Sequence, residues 1–381
     1  MKSSSPIKST KTSIISDDDE TILSIISKKN VFETNTYCTG VDVSDDTIVL
    51  AASNGGYYKI LYELDADGFP SFTNVISQPD HNNDFENDSI DKVIMSNGDE
   101  GIIYMLDRYN GGQSGVWFDN QDGISIEPGF TNDYCYQAKY LDIALDESEP
   151  DNFFGYTTHV LYSLMKHTDL NENSDDDEFL EYSTSIVRRQ INIVPNLDSG
   201  QIQSFDLALD ECNYIANLNY DSKKIDYDFN KLAIASESEG IIIFEKTSSE
   251  SFNEVIKFNK PGGEAQSVLS LENGVVGGFS NDKGCYMALL ESNTNNVTNY
   301  IEFAEGYSIK SIDFHEGIFG LATGSDGVQL YQWLGADNVI PYASLNTNYA
   351  YDLKIMGNLV FVATRQGLEI YKIGSWYEFY F

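Results

Sequence analysis

The chain is poor in cysteine, the residue that most often forms structural zinc sites and redox centres. Its four cysteines, Cys38, Cys135, Cys212 and Cys285, are far apart in the 381-residue sequence and form no C-x-x-C pair. Structural zinc sites and redox-active dithiols need closely spaced thiols, so the sequence argues against both. Because no secretory signal is recognisable, we expect the four cysteines to be free thiols.

The motifs of the common enzyme classes are also missing. The four histidines show neither H-x-H nor H-E-x-x-H spacing. The sequence contains no P-loop, no G-x-S-x-G and no G-x-G-x-x-G. It therefore predicts no catalytic residue and no organic cofactor.

Positive charge is scarce. The chain has 23 lysines and arginines against 60 aspartates and glutamates, a formal net charge of −37. Such a chain repels phosphate backbones and anionic lipid, so we expect neither nucleic-acid binding nor membrane insertion. Cations and proteins with a basic surface are the partners that this charge favours.

Long apolar runs are absent as well. Runs such as GIIIF (Gly240–Phe244) are far too short to span a bilayer. Residues 1–20 contain no apolar core of signal-peptide length before the acidic run Asp17–Glu20. We therefore expect a soluble protein without a signal peptide, either cytoplasmic or part of a larger particle, with residues 1–20 as a flexible arm.

A hairpin repeat is the dominant feature of what the sequence does contain. The stretch NLVFVATRQGLEIYKI (Asn358–Ile373) has an apolar strand, a tight turn closing on glycine, and an alternating second strand. The same order recurs, with one degenerate copy that lacks the turn glycine, at Thr47–Leu64, Val93–Leu106, Asn152–Met165 (degenerate), Leu232–Lys246, Val275–Leu290 and Ile318–Trp333. The turn glycines are Gly56, Gly101, Gly240, Gly284, Gly327 and Gly367. Outside the degenerate region their spacing is about 40 to 45 residues, which is typical of a β-propeller.

Each repeat predicts four strands. An inner strand precedes the hairpin, at Gly40–Val43, Tyr140–Leu145, Ser204–Leu209, Ser311–Phe314 and Tyr351–Ile355. An outer strand follows it, at Ser71–Ser77, Gly115–Asp119, Phe252–Phe258, Val297–Phe303, Asn338–Ser344 and Trp376–Phe381, and within Phe179–Val194 for the degenerate copy. The segment Thr21–Phe32 is a candidate extra strand for the last repeat.

We predict an all-β fold, a seven-bladed β-propeller of four-stranded antiparallel blades, because blades of this size bury both faces only when packed around an axis. Residues 21–381 would form a single domain with acidic loop insertions at 166–179 and 210–230. A two-sheet β-sandwich array is the alternative, and the regular repeat spacing argues against it.

One family resemblance is visible in the last repeat. The segment YDLKIMGNLVFVATRQGLEIYKI (Tyr351–Ile373) resembles the LVIVD type of propeller repeat, which is similar to WD40 blades in architecture. The resemblance covers roughly residues 40–381 and is weakest in the middle of the chain. The Trp-Asp dipeptide of WD40 blades is missing. The resemblance implies a fold and no particular activity, because propellers support many unrelated functions.

An aspartate recurs in the inner strands and is the first candidate site. The set comprises Asp42, Asp142, Asp206, Asp313 and Asp352. Five carboxylates around a central channel could bind Ca²⁺, which takes six to eight oxygen ligands. The alternative is structural: each aspartate would accept hydrogen bonds from a hairpin Ser or Thr (Ser53, Ser236, Thr323, Thr364) and from backbone N–H groups, fixing one blade to the next.

Acidic residues in the hairpin turns are the second candidate site. They are Asp99, Glu100, Glu237, Glu239, Asp282 and Asp326. In a propeller these turns emerge on one face, where their charge would attract a basic partner. The alternative is that aspartate simply favours turns.

These observations favour a non-catalytic interaction scaffold that is a subunit of a larger protein assembly. A viral particle is one such assembly. A Ca²⁺-dependent propeller hydrolase using the inner-strand aspartates is one alternative. A carbohydrate-binding propeller using Tyr57, Tyr104, Tyr331 and Tyr371 is another, although the alternation of these tyrosines also suits a packed core.

Overall fold

The structure is a computed structural model of the whole chain. It describes residues 27–34, 36–78, 89–96, 102–107, 115–119, 126–131, 138–146, 157–167, 184–195, 202–207, 213–248, 251–291, 296–335 and 337–373. Over these residues the chain forms antiparallel sheets joined by turns, with one short 3₁₀ turn at Glu237–Glu239. No helix in these ranges is long and apolar enough to cross a membrane.

The described strands form seven sheets, which we number I to VII in chain order. Strand β1 (Ser27–Glu33) comes first and belongs to the last sheet. Sheet I contains β2 (Gly40–Val43), β3 (Thr47–Ala51), β4 (Tyr57–Leu64) and β5 (Pro70–Gln78). Sheet II contains β6 (Ile90–Met95), β7 (Ile103–Asp107), β8 (Gly115–Asp119) and β9 (Ile126–Thr131).

Sheet III has five strands and sheet IV four. Sheet III contains β10 (Ala138–Asp146), β11 (Thr157–His167), β12 (Thr184–Pro195), β13 (Ile202–Leu207) and β14 (Asn213–Leu218), the last two both pairing with β12. Sheet IV contains β15 (Lys224–Asp228), β16 (Lys231–Ser236), β17 (Gly240–Ser248) and β18 (Ser251–Phe258).

The remaining three sheets each have four strands. Sheet V contains β19 (Ala265–Leu271), β20 (Gly274–Phe279), β21 (Gly284–Leu290) and β22 (Val297–Phe303). Sheet VI contains β23 (Ser311–His315), β24 (Ile318–Ala322), β25 (Val328–Trp333) and β26 (Val339–Leu345). Sheet VII contains β27 (Ala350–Met356), β28 (Leu359–Thr364), β29 (Gly367–Lys372) and, at its outer edge, β1.

The chain divides into two compact units. Unit 1 comprises Met1–Pro79 and Ile309–Phe381 and carries sheets I, VI and VII. Unit 2 comprises Asp80–Ser308 and carries sheets II to V. The arrangement of residues 21–381 as one domain stays a prediction, and the arm at residues 1–20 lies outside the described residues.

Apolar side chains on both faces of the middle strands form the core of each unit. In β17 of unit 2, Ile242 packs toward sheet III while Ile241 and Ile243 pack toward sheet V. Successive strand residues point to opposite faces, so an unbroken apolar run indicates a sheet that is covered on both sides. In unit 1, Phe361 of β28 packs in the same way against Ile48 and other residues of sheet I.

Glycine closes the hairpins as the repeat predicted. Gly56, Gly240, Gly284, Gly327 and Gly367 all have positive φ, between 67° and 114°, which side-chain-bearing residues rarely adopt. At Gly367 an added Cβ would collide with the carbonyl oxygen of Phe32 in β1. The turn therefore needs glycine both for its backbone angle and for the close approach of the outer strand. Gly101 lies outside the described residues.

Seven sheets confirm the number of repeats, but several strand assignments from the sequence are wrong. The described part of the degenerate hairpin Asn152–Met165 is a single strand, β11. Val93–Leu106 was expected to hold the second and third strands, yet it spans β6 and β7, the first and second strands of sheet II. Gly115–Asp119 is the third strand of that sheet and not its outer one. Phe179–Val194 contains β12, an interior strand of sheet III, and not the outer strand. Each assignment failed because neighbouring strands share the same apolar pattern, so position along the chain was the only guide.

The boundary between sheets III and IV is a further correction. Ser204–Leu209 was predicted as the inner strand of the fourth repeat, but β13 pairs with β12 at the edge of sheet III. Residues 210–230 were read as an insertion, yet they hold β14 and β15. The true first strand of sheet IV is β15, with the sequence KIDYD.

The outer edge of sheet VII is formed by the N-terminal strand. The residues Phe32 and Glu33 of β1 pair with Leu368 and Gly367 of β29. Strand β1 is therefore the extra strand of the last repeat that was suggested for Thr21–Phe32. The predicted outer strand Trp376–Phe381 lies outside the described residues.

Candidate interaction surface

Three of the recurring aspartates meet around one lysine in unit 1. Asp42 lies on β2, Asp313 on β23 and Asp352 on β27, each in the first strand of its sheet. Lys354 of β27 places Nζ 3.5 Å from Asp313 Oδ1 and 3.8 Å from Asp42 Oδ1. The charges of Asp313 and Asp42 raise the pKa of Lys354 above its ordinary value. The ammonium group therefore supplies positive charge between the carboxylates.

Asp142 plays the corresponding part in unit 2. Its fully buried carboxylate lies 2.9 Å from Nζ of Lys92 on β6 and 3.8 Å from Nζ of Lys224 on β15. Burial by itself raises the pKa of Asp142, but the positive charges of Lys224 and Lys92 outweigh it and the pKa is lowered. Asp142 is thus held as a carboxylate by its two lysines.

Four first-strand aspartates also share one hydrogen-bonding pattern, in which each accepts a bond from a backbone N–H in the first strand of the next sheet. The pairs are Asp142 with Ile225 (2.9 Å), Asp226 with Ser270 (2.6 Å), Asp313 with Ile355 (2.6 Å) and Asp352 with Val41 (3.2 Å). Asp42 instead accepts a 2.9 Å bond from the N–H of Val43 in its own strand. Two of the expected hairpin donors bond elsewhere: Thr323 and Thr364 donate to the carbonyls of Gly327 and Gly367 in their own turns.

These contacts describe carboxylates that fix neighbouring sheets to each other. Within the described ranges, no group of three or more His, Cys, Asp or Glu side chains is arranged to hold a metal ion. Asp206 lies on β13, at the edge of sheet III and away from the first strands, and its side chain is outside the described residues. The Ca²⁺ site proposed for the five aspartates stays a prediction.

The hairpin turns carry the second set of acidic residues. In unit 2, Glu237 Oε1 lies 2.6 Å from Lys223 Nζ, and Glu239 pairs with Lys257. Asp282, in the neighbouring turn, accepts a 2.9 Å hydrogen bond from the Ser308 hydroxyl. Lys223 and Lys257 therefore neutralise part of the negative charge of the hairpin turns.

Asp326 provides the acidic turn residue of unit 1. It is exposed in the turn between β24 and β25, and its backbone carbonyl accepts a 2.8 Å hydrogen bond from Gln329. Its carboxylate forms no salt bridge with a described residue. Asp99 and Glu100 lie outside the described residues.

The four tyrosines considered for sugar binding are buried. Tyr57, Tyr104, Tyr331 and Tyr371 expose between 0% and 8% of their surface. A sugar-binding aromatic must offer a ring face to solvent, so these tyrosines serve packing. The Tyr371 hydroxyl, for example, lies 2.8 Å from the Asn346 carbonyl oxygen and 2.6 Å from Glu369 Oε2, two acceptors for its one proton.

Two cysteines are described, and both are free and buried. Burial raises the pKa of the Cys38 thiol to about 11 and raises that of Cys285 further. Buried thiols with a raised pKa carry little thiolate at neutral pH and are poor nucleophiles.

Comparison with solved structures identifies the fold. A chain in the crystal structure of the mitotic checkpoint complex matches with a TM-score of 0.56 and 11% identity, over 91% of this chain and 94% of that chain. The WD40 domain of Pan2 from Neurospora crassa matches with a TM-score of 0.53 and 7% identity, over 88% and 89% of the two chains. This chain has a WD40-like β-propeller fold. The seven sheets are its blades.

The other comparisons found no match. No protein-family model matches the sequence, so the LVIVD resemblance gains no support, and no curated protein matches it. Among the comparisons, only the similarity to solved structures therefore supports the propeller assignment.

Sequence reasoning missed the residues that complete the inner-strand network. Lys92, Lys224 and Lys354 were not singled out, and Asp226 was overlooked in favour of Asp206. Asp226 follows Ile225 in KIDYD, as Asp313 follows Ile312 in SIDF. That shared Ile-Asp pair was the signal that could have found it. The lysines left no such signal, because the carboxylate each one meets lies in a different sheet.

Proposed function

We propose that this propeller is a non-catalytic scaffold that binds protein partners through the hairpin-turn surfaces of its sheets. The observation that carries the proposal is that its acidic residues fall into two sets with different contacts. The first-strand aspartates are committed to lysines and backbone N–H groups between sheets. The carboxylate of an exposed turn residue such as Asp326 forms no salt bridge with a described residue and is therefore available to a partner.

A partner with a basic surface fits this arrangement best. The chain has a formal charge of −37, and charge of one sign speeds the approach of a partner of the other sign and disfavours like-charged ones. The rigid sheets hold the turns in place, so little conformational freedom is lost on binding. We infer that the chain is a subunit of a larger protein assembly.

A matched pair of charge reversals tests this proposal. Asp326 and Asp337 are both exposed turn acids of sheet VI, but they lie in turns at opposite ends of its strands. We expect the tagged chain, purified from the cells that make it, to carry a stoichiometric partner in native mass spectrometry. Asp326→Lys should lose that partner while Asp337→Lys retains it.

Two results would contradict the scaffold function. One is a monodisperse chain that carries no partner at any expression level. The other is an equal effect of the two reversals, because a nonspecific charge effect would not distinguish the two ends of one sheet.

A further inference from the structure

Four side chains, two of them exposed and two half-buried, form a surface cluster on unit 1 that the inner-strand network does not involve. Tyr37 and Tyr351 stack with ring centroids 5.6 Å apart, and Tyr351 packs on Tyr349 at 4.7 Å. The Arg365 guanidinium lies 4.2 Å from the centroid of the Tyr349 ring. Its Nε donates a 3.4 Å hydrogen bond to the Tyr351 hydroxyl. We call Tyr37, Tyr349, Tyr351 and Arg365 the tyrosine–arginine cluster.

The backbone around the cluster is held in place. Cys38, next to Tyr37, donates its N–H to the Thr364 carbonyl at 2.9 Å. Arg365 N–H bonds to the Asn348 carbonyl at 3.2 Å. Ala350 exchanges two backbone hydrogen bonds, of 2.9 and 3.1 Å, with Gly324. The rings are therefore positioned before any partner arrives, which lowers the ordering cost of binding.

Tyr349 adds an observation that points to a role beyond packing. Its φ is +65°, in the left-handed region where a bulky residue is an outlier. Strained backbone angles of this kind cluster at functional sites. Here the strained residue is the one on which the arginine stacks. Tyr37 is 46% exposed, so the cluster offers an aromatic surface to solvent.

Arg365 places a positive charge in a turn position where acidic residues prevail. The described turns of sheets IV, V and VI carry Glu237, Glu239, Asp282 and Asp326, with Lys283 beside Asp282, whereas the turn of sheet VII carries Arg365 and Gln366 and no acidic residue. Arg365 is exposed, and none of the acidic side chains that the structure describes forms a salt bridge with it. An exposed, stacked guanidinium without a counter-ion is suited to bind a carboxylate through two parallel hydrogen bonds.

We propose that the tyrosine–arginine cluster seats one carboxylate side chain, Asp or Glu, of a partner protein segment whose flanking residues are apolar and basic. This inference rests on the proposed scaffold function and names the chemistry of its partner. The carboxylate pairs with Arg365 and its apolar neighbour packs on Tyr37. The flanking basic residues suit Asp326 and the overall charge, since a wholly acidic segment is repelled. Tyrosine and arginine are also the residues that most often dominate binding energy at interfaces.

The charge of Arg365 also fixes the register of the partner. A carboxylate placed beside the exposed turn acids meets like charge, which costs binding energy. Opposite Arg365 it meets a guanidinium that no described carboxylate neutralises. Recognition therefore depends on one acidic residue within an otherwise basic segment.

A double-mutant cycle on the full chain tests this directly. The probe is a short synthetic peptide blocked at both ends, with a central glutamate flanked by phenylalanines and then lysines. A second peptide differs only in glutamine for glutamate. Isothermal titration should show about tenfold tighter binding of the glutamate peptide to the wild-type chain, and Arg365→Gln should abolish that preference.

Lys310 supplies the matched control. It is an exposed lysine of unit 1, and no described salt bridge or ring contact involves its ammonium group. Lys310→Gln removes the same charge as Arg365→Gln and should keep the preference for the glutamate peptide. Tyr37→Ala should weaken both peptides about equally, because it removes aromatic contact and leaves the guanidinium. Circular dichroism checks that each variant folds as the wild type does.

Three peptide-binding outcomes overturn the inference. They are equal affinity of the wild type for the two peptides, a preference that persists in Arg365→Gln, and no saturable binding of either peptide up to millimolar concentration. The first two leave the scaffold function standing if the co-purified partner is still lost in Asp326→Lys. A dimer in sedimentation that Arg365→Gln disrupts would assign the cluster to a second copy of this chain and would also overturn the inference.

Discussion

The carboxylate of Asp142 and the ammonium group of Lys92 lie 2.9 Å apart and join the first strands of two different sheets. Lys224 approaches the same carboxylate from a third sheet. One buried aspartate therefore ties sheets II, III and IV together.

Removing the charge of Asp142 should destabilise unit 2. In Asp142→Asn the lysines lose their buried counter-ion, and we expect a loss of about 2 to 4 kcal/mol in the free energy of unfolding at pH 7. Urea unfolding followed by circular dichroism measures it. A variant as stable as the wild type would show that the ion pairs contribute nothing.

Asp226→Asn is the contrasting variant. Asp226 occupies the equivalent position in sheet IV, but burial raises its pKa although Ser270 N–H and Lys92 partly oppose this. Its charged form is therefore disfavoured in the folded state. An asparagine keeps an oxygen for the Ser270 N–H without the charge, so we expect the stability at pH 7 to stay the same or rise. A loss as large as that of Asp142→Asn would contradict this reasoning.

The two aspartates predict opposite dependences of stability on pH. The lowered pKa of Asp142 stabilises the folded state above the ordinary aspartate value of about 3.9, and this contribution is lost as the pH falls through the lowered value. The raised pKa of Asp226 makes the folded state hold its proton longer, so its contribution falls as the pH rises above about 3.9. Urea midpoints measured between pH 3 and 7 should fall less steeply with decreasing pH in Asp142→Asn than in the wild type. In Asp226→Asn the urea midpoint should instead exceed that of the wild type most at the upper end of this range.

Calcium should leave the melting temperature of the wild type unchanged. Lys354 lies between Asp42 and Asp313 in unit 1 and already compensates their charge. Millimolar CaCl₂ in a thermal scan, with MgCl₂ as the control for ionic strength, measures the effect. A shift of several degrees specific to Ca²⁺ would revive the metal site and with it the hydrolase alternative.

Gly367→Ala should be much more damaging than Gly335→Ala. Both glycines belong to unit 1 and have positive φ, +114° and +90°. Only at Gly367 would the new Cβ meet the backbone of β1, while nothing lies within 4 Å at Gly335. The strained φ costs about 1 to 3 kcal/mol at either site, so the difference in melting temperature reports the contact with β1. Equal shifts in melting temperature for the two variants would mean that β1 moves away from the new methyl group without loss of stability.

The sequence predicted the repeat well because the repeat is local. Each hairpin keeps its apolar run, its turn and its glycine within a few residues, and five of the six turn glycines are described with positive φ. The errors arose where the repeat lost its glycine, between sheets II and IV. There SFDLAL and KIDYD both suit a first strand, and only the pairing of β13 with β12 decides between them.

The tyrosine–arginine cluster could not be predicted for a different reason. Tyr37 comes before the first sheet in the chain, while Tyr351 and Arg365 belong to the last. Their contact exists because β1 returns to sheet VII, and no short-range pattern encodes that return. The same applies to Lys92 and Asp142, which meet through the packing of two sheets.

The pairing of β1 with β29 also sets the order in which the protein can be completed on the ribosome. Ser27–Glu33 is synthesised before sheets I to VI, but its partner Gly367–Lys372 emerges only after them. Until then sheet VII has no third strand, and the apolar surface of sheet I that it covers stays open to water. Unit 1 must therefore wait for Gly367–Lys372 before it closes, and during that interval a chaperone would have the most to protect.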